Sequence, residues 1–331
     1  MPRASRVVSL ALLAFPALTG AQDGAPPGAR VESEWKLDVP RGQEEAVWSY
    51  LQRRYAATVG DGGLAAGAGS ILSELGTGFS ASFSDEDFVD DYFDDTKFTL
   101  LRLEAGLRHR GRWFRDDTDN RKHGRELLQL KGAGSQVRSE QKWKVRPLAD
   151  EWRNEPDENV PGLQLVTRGD RDEVRAALAR MGVEAADLIH VLQIQQLRQR
   201  VYISRDGAPY ATITLDQTRP RKLWWSTAFA EVELELNEIR YTEADAAGRA
   251  AMEAVNDRIA ADLMGEFPGI VRDQTPKYNK AFQRLEDGAW GLRTAIVIGL
   301  PLPLLGLLAA GAAGLLVLTA RKQALTVVRW R

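Results

Sequence analysis

The chain has 331 residues, 44% of them hydrophobic and 27% charged, with a formal net charge of −2. That length suits one large domain or two small ones, and the near-neutral balance argues against a nucleic-acid binder working by bulk charge. There is no cysteine and there are only three histidines (His109, His123, His190) in no ligand-like spacing, so disulfides, thiolate nucleophiles and cysteine-built metal sites are excluded and any metal must be held by carboxylates.

In chain order, Arg3 and Arg6 precede an apolar run from Val7 to Leu18 and then Thr19-Gly20-Ala21. This is the layout of a signal peptide, with cleavage expected after Ala21. Residues 22–30 read as a Gly/Pro-containing spacer. From Val31 to Val39 the chain alternates at a period of two, with Glu32, Glu34, Lys36 and Asp38 on one face and Val31, Ser33, Trp35, Leu37 and Val39 on the other. Solvation serves many such strands; a divalent metal is the sharper way to gather the carboxylates. Gln43 to Ala57 has helical spacing, and Gly60 to Gly78 is a Gly/Ala-rich loop or insertion. The acidic stretch Ser84 to Asp95 passes, by itself, for a solvated linker.

Strand-like alternation then begins at Leu101-Arg102-Leu103 and continues through Gly106–Arg110, with Arg108 and Arg110 on one side. A polar turn spans 116–124. Beyond it, Glu126 to Lys131 sets Gln129 and Lys131 against two leucines. Arg138 to Arg146 gathers Arg138, Glu140, Lys142, Lys144 and Arg146 on one face. After an irregular stretch (148–169) and a short helix (171–181), Val191 to Ile203 places Gln196, Arg198 and Arg200 together. Thr212, Thr214 and Asp216 share a face, as do Glu231, Glu233 and Glu235. A long helix is expected over 243–263, and Pro276-Lys277-Tyr278 opens another. Thr294 to Ala320 carries no charge and is long enough for a transmembrane helix, followed by Arg321, Lys322, Arg329 and Arg331. The positive-inside rule puts that tail (321–331) in the cytoplasm and the body of the chain outside the cell membrane.

Each strand has one apolar and one ionised face, and the ionised faces sort by sign. A solvent-exposed antiparallel sheet accounts for any one strand. The set as a whole predicts an α+β fold: a closed antiparallel barrel with a charged lumen, its apolar outside covered by helices. Arg and Lys around a cavity recognise phosphate chains, and acids facing them hold Mg²⁺ or Mn²⁺, a combination that describes phosphoryl transfer. No P-loop, G-x-S-x-G or H-E-x-x-H motif is present.

These residues resemble the CYTH, or triphosphate tunnel metalloenzyme, superfamily. Glu32-Ser33-Glu34-Trp35-Lys36 matches its ExExK signature, and Tyr92-Phe93-Asp94 followed by Leu107-Arg108-His109-Arg110 is similar to its YFDT and LRxR segments. Leu130-Lys131-Gly132, Arg138-Ser139-Glu140, Arg198-Gln199-Arg200, Leu215-Asp216, Glu231 to Glu235 and Pro276-Lys277-Tyr278 follow in the family's order, over 31–285. Asp95 stands where the family usually has Thr, and Glu235 where Lys is common. The resemblance implies an eight-stranded tunnel. Glu32, Glu34, Glu231 and Glu233 would be metal ligands. Lys36, Arg108, Arg110, Lys131, Arg138, Arg198, Arg200 and Lys277 would contact a triphosphate, with Lys36 serving catalysis as well. It further implies a Mg²⁺- or Mn²⁺-dependent triphosphatase acting on a triphosphate or short polyphosphate. Export tilts the choice to inorganic tripolyphosphate; a polyphosphate-binding protein and a membrane-associated polyphosphate polymerase are the alternatives. No nucleic-acid partner is expected, and the oligomeric state is left open.

Overall fold

The computed structural model describes residues 30–288 and 291–298, except 56, 61–62, 67–69, 116–120, 124–125, 133–136 and 146–159. The expected signal peptide, nearly all of the spacer, the cytoplasmic tail and all of the apolar span after residue 298 lie outside these residues. Among the described residues no helix is long and apolar enough to cross a membrane.

Alternation decides the strands. In chain order they are β1 (Arg30–Val39), β2 (Ala57–Gly60), β3 (Gly63–Ala66), β4 (Phe79–Asp94), β5 (Gly106–Arg115), β6 (Arg121–His123) and β7 (Leu127–Lys131), then β8 (Val137–Lys144), β9 (Ile189–Arg205), β10 (Ala208–Lys222), β11 (Trp225–Ser226), β12 (Phe229–Leu236) and β13 (Val271–Arg272). The helices are α1 (Glu44–Arg54), α2 (Ile71–Leu75), α3 (Thr99–Arg102), α4 (Arg168–Ala179), α5 (Glu238–Glu243), α6 (Ala246–Glu266), α7 (Lys277–Gly288) and α8 (Leu292–Ile298). β2 and β3 form a separate hairpin. The other strands make one antiparallel sheet of eleven, where the resemblance implied eight. Its path runs β10-β12-β1-β8-β7-β5-β4-β9, and β9 also pairs with β10 along most of its length. The β9–β10 hairpin turns at Asp206-Gly207, with φ of +54° and +75°, the left-handed pair that a two-residue turn requires.

Three apolar clusters line the outside of the sheet. The largest packs α1 and α6 on β1, β9, β10 and β12, through Leu37, Leu51, Ile213, Leu234 and Leu263, all fully buried. Each such side chain contributes about 1.5–3 kcal/mol by leaving water. The second seats α4 on β5, β7 and β8, with Leu107, Leu128, Val174 and Leu178 at its centre. The third gathers Tyr92, Ile194 and Phe229 around Tyr278, Phe282 and Leu285 of α7.

Four segments differ from expectation. Ser84–Asp95 is no linker; it supplies most of β4, whose Glu86 and Asp90 point inward to arginine partners while Asp91 meets His190 on the other face. Leu101-Arg102-Leu103 does not begin a strand but belongs to the single turn α3. There Asp95 accepts from the backbone N–H of Lys97 and Thr99 (3.0 and 2.8 Å) and from the Thr99 hydroxyl (2.7 Å), a helix-start role for its carboxylate. The Gly60–Gly78 stretch, read as a loop, carries β3 and α2. The helix expected over 243–263 is α6, capped by Asp245, which accepts from the Gly248 N–H at 2.7 Å, and a short α5 that was not expected precedes it.

Candidate active site

Along β4, β9, β10, β12 and β1 the register sets inward-facing residues into rows. One row is Glu86, Arg198, Asp216, Glu231 and Asp38; the next is Ser84, Arg200, Thr214, Glu233 and Lys36; then come Tyr202, Thr212, Glu235 and Glu34. Period-two alternation is therefore what brings distant charges to one interior. Oxygens of Asp216, Glu231 and Glu233 lie within 4.8 Å of one another, and all three side chains are buried. Arg198 spans two of them, donating from Nε to Asp216 at 2.6 Å and from a terminal nitrogen to Glu233 at 2.8 Å. The ammonium of Lys277, projected inward from the first turn of α7, pairs with Asp216 and lies 3.2 Å from Glu231 and 3.3 Å from Glu233. Lys280, one turn on, reaches Glu231 at 3.0 Å and Asp273 at 2.8 Å. Lys36 bridges Glu34 (3.3 Å) and Glu233 (3.5 Å).

A second ionic group forms on β4, β5 and β7. Asp90, fully buried, accepts from Arg110 at 2.7 and 2.6 Å and from Arg108 at 3.3 Å, while Arg108 also donates to Gln129 at 2.9 Å. Glu86 pairs with Arg112 and with Arg200 at 3.3 Å. Burial would push the Asp90 carboxyl up, but the Arg110 and Arg108 guanidiniums overrule it and hold it at about 2. Against the same burial, Lys277, Arg198 and Lys36 keep Glu233 well below the carboxylate range, and Arg198 and Lys277 lower Asp216. Lys277 in turn is raised by Asp216, Glu233 and Glu231 in spite of its burial. Asp90, Asp216 and Glu233 therefore stay ionised at neutral pH, as does Lys277.

These groups surround a cavity of about 280 Å³ whose lining includes Arg108, Arg110, Lys131, Arg198, Arg200, Glu34 and Glu233. A recess of about 30 Å³ shares Arg108, Lys131 and Glu233 with it and adds Lys36 and Lys277. The structure thus gathers Glu34, Lys36, Arg108, Arg110, Lys131, Arg198, Arg200, Glu231, Glu233 and Lys277 in one interior. The side chains of Glu32 and Arg138 lie outside the described set; their backbones pair across β1 and β8.

Asp216, Asp90, Glu86, Gln129 and Lys280 join the site although the sequence marked none of them as a metal ligand or phosphate contact. Asp216 shares its face with Thr212 and Thr214, so its alternation carried the signal. Asp90 and Glu86 were hidden in an acidic run, where only their even spacing with Phe88 marks a strand.

The model of the CYTH domain matches residues 71–257. The chain belongs to the CYTH family. The matched stretch starts after β1 with its Glu32–Lys36 signature and ends before α7. The chain is similar in fold to the PH1819 protein of Pyrococcus horikoshii OT3, at 14% identity over 76% of this chain and 98% of that one (TM-score 0.42). It is also similar to the Hippeastrum protein HpAC1, described as an adenylyl cyclase candidate with a dominant triphosphatase activity (16% identity, 76% and 95% covered, TM-score 0.42). The RNA triphosphatase Pct1 of S. pombe aligns at 14% identity over 78% and 87% (TM-score 0.30). No curated protein matches the chain.

The donor set of this CYTH interior fits a hard divalent cation. Asp216, Glu231 and Glu233 offer only oxygens, and neither oxygen of the buried Glu231 accepts a hydrogen bond of good geometry, despite the two ammonium groups near it.

Proposed function

We propose that the chain hydrolyses a phosphoanhydride bond of a triphosphate or short polyphosphate, inorganic tripolyphosphate first, with Mg²⁺ or Mn²⁺ as cofactor. One observation carries this reading: three buried carboxylates converge within 4.8 Å beside a cavity lined by Arg108, Arg110, Arg198, Arg200 and Lys131. Eight strands with partners on both edges suit a tunnel around that cavity. Asp216, Glu231 and Glu233 would hold the cation, with Glu34 and Glu32 on the adjoining strand. When bound, it would supply charge neutralisation at the phosphate oxygens. The guanidiniums bind and orient the chain of phosphates, arginine doing so by paired hydrogen bonds. Lys36 and Lys131 add point charges where negative charge accumulates on the departing phosphate. Water adds to the terminal phosphorus, the bridging P–O bond breaks, and the proton passes to a carboxylate or to solvent.

A second reading has its own support. Lys277, Lys280 and Arg198 already pair with the acidic trio, as a polyphosphate-binding protein without catalysis would need. Phosphate release from tripolyphosphate by the purified protein separates the two. Release that requires Mg²⁺ or Mn²⁺ and stops with chelator supports hydrolysis. Binding without release under any metal makes it a binder.

We place this activity outside the cytoplasm, because residues 1–21 and 294–320 carry the features of an export signal and a membrane anchor.

A further inference from the structure

The third apolar cluster reaches almost to the end of the described chain. Helix α8 adds Leu292 and Ile296 to it, and Ala295 is buried as well. Val297, one residue on, is already 42% exposed. The sequence then runs from Gly299 to Ala320 without a charge and meets Arg321 and Lys322, about the length that crosses a bilayer. As the anchor proposed above, this stretch begins where α8 ends, with no polar linker between them. A long flexible linker lets a domain drift away from its membrane. Here α8 is packed into the core, so the face around it is held at the lipid headgroups.

The β10–β11 hairpin belongs to that face. Trp225 packs against the same cluster as Leu292 and Ile296, and so does Ile189 at the start of β9, the strand that α8 touches. At the hairpin tip Trp224 is 49% exposed, the most open aromatic side chain among the described residues, with its ring centre 4.6 Å from that of Trp225. The tip is firmly mounted. Lys222 donates to the His190 carbonyl at 2.6 Å and so ties the hairpin to β9. Leu223, the first of the two loop residues, has φ of +55°, a left-handed backbone that strains a leucine and that such turns normally give to Gly or Asn. The strained turn and the exposed indole both cost stability. Both are accounted for where the tip leaves water against another surface.

The flanks of the tip fit a phospholipid surface. No acidic residue lies between Gln217 and Ala230, while Arg219 and Arg221 are exposed on β10. Tryptophan flanked by arginine suits the membrane–water interface, where the amphipathic ring sits at headgroup depth and guanidiniums meet lipid phosphates. One tryptophan and two arginines bind a bilayer weakly by themselves. Tethered through α8, they act at high effective concentration and have only to set the orientation of the domain. We propose that the β10–β11 hairpin docks on the phospholipid surface of the membrane, with Trp224 at headgroup depth and Arg219 and Arg221 on lipid phosphates. This rests on 299–320 being a membrane anchor and goes beyond it, because it fixes which face of the domain meets the bilayer.

The chain has no cysteine, so a single nitroxide label reports depth in the full-length protein reconstituted into vesicles of phosphatidylcholine and phosphatidylglycerol. Ser226→Cys, exposed on β11, carries the label and leaves Trp224 in place; Ile239→Cys, 61% exposed on α5, is the reference. The label at 226 should collide more with dissolved oxygen than with a water-soluble nickel complex, and the label at 239 should do the reverse. Adding Trp224→Ser to Ser226→Cys should shift the 226 label to the ratio seen at 239 without lowering the melting temperature. A 226 label as open to nickel as the 239 label overturns the docking. A label shut off from both quenchers, as under a second protein chain, overturns it too. Carbonate extraction of the same vesicles tests the anchor separately. Protein that resists extraction while its 226 label stays in water keeps the anchor and loses the docking. Protein stripped by carbonate loses the anchor, and a 226 label at headgroup depth before stripping means that the hairpin docks by itself.

Discussion

Glu233 and Arg200 are neighbours across the interior, yet their removal should fail in different ways. Glu233 sits in the acidic trio and is touched by Lys36, Arg198 and Lys277. Glu233→Gln should lower kcat for tripolyphosphate about a hundredfold, as loss of a preorganised charge does, and added Mn²⁺ should recover part of it. Arg200 faces the basic cavity, and Arg200→Ala should raise KM through a lost charge-assisted contact of about 1.5–3 kcal/mol. Steady-state kinetics on both variants checks the split. Asp90 offers a different test, in stability. Its folded carboxyl lies at about 2 against an ordinary 3.8. It therefore stabilises the fold above pH 4 by about 2 kcal/mol, and that contribution fades as pH falls from 4 to 2. Urea unfolding of Asp90→Asn should show a deficit at pH 7 that narrows across this window. The inward Arg and Glu positions of β1, β5, β9 and β12 were legible because each alternates with apolar residues. Asp90 was not, because its strand carries acids on both faces and its partners lie on β5.

At the scale of the element, α7 joins the site to the core. Lys277 and Lys280 enter the acidic interior, while Tyr278, Ala281, Phe282 and Leu285 fill the third apolar cluster at helical spacing. Phe282→Ala should cost about 3–5 kcal/mol in denaturant unfolding, as a fully buried aromatic does. Lys277→Met tests the metal site without any assay of turnover. With its ammonium gone, Asp216, Glu231 and Glu233 repel one another, so Mn²⁺ should raise the melting temperature of the variant more than that of the unaltered protein. An equal shift in both would remove the trio as the cation's seat. The sequence signalled this helix by its opening Pro-Lys-Tyr, but the depth to which Lys280 penetrates depends on how α7 meets the sheet, which no local pattern encodes. The short α5 was likewise hidden, since six residues do not show a helical period.

Taken as a whole molecule, the chain pairs a CYTH domain built on one large antiparallel sheet with two apolar ends. Export predicts that protease added to spheroplasts digests 22–285; full protection would place the domain in the cytoplasm instead. The antiparallel character and helix-covered outside followed from alternation alone, because one apolar face must be buried. Strand number did not, since β6, β11 and β13 are too short to show a period. The pairing of β1 with β12 has a further consequence, for the order of assembly. Glu34 faces Glu235 and Lys36 faces Glu233 from opposite ends of the described chain, so the first strand made by the ribosome waits for the last long one. The β9–β10 hairpin closes locally, but this contact must first meet the entropy of a very long loop. Refolding should therefore be slow, with the β1–β12 contact formed late, and any chain released before residue 277 lacks the two ammonium groups that stand beside Glu231.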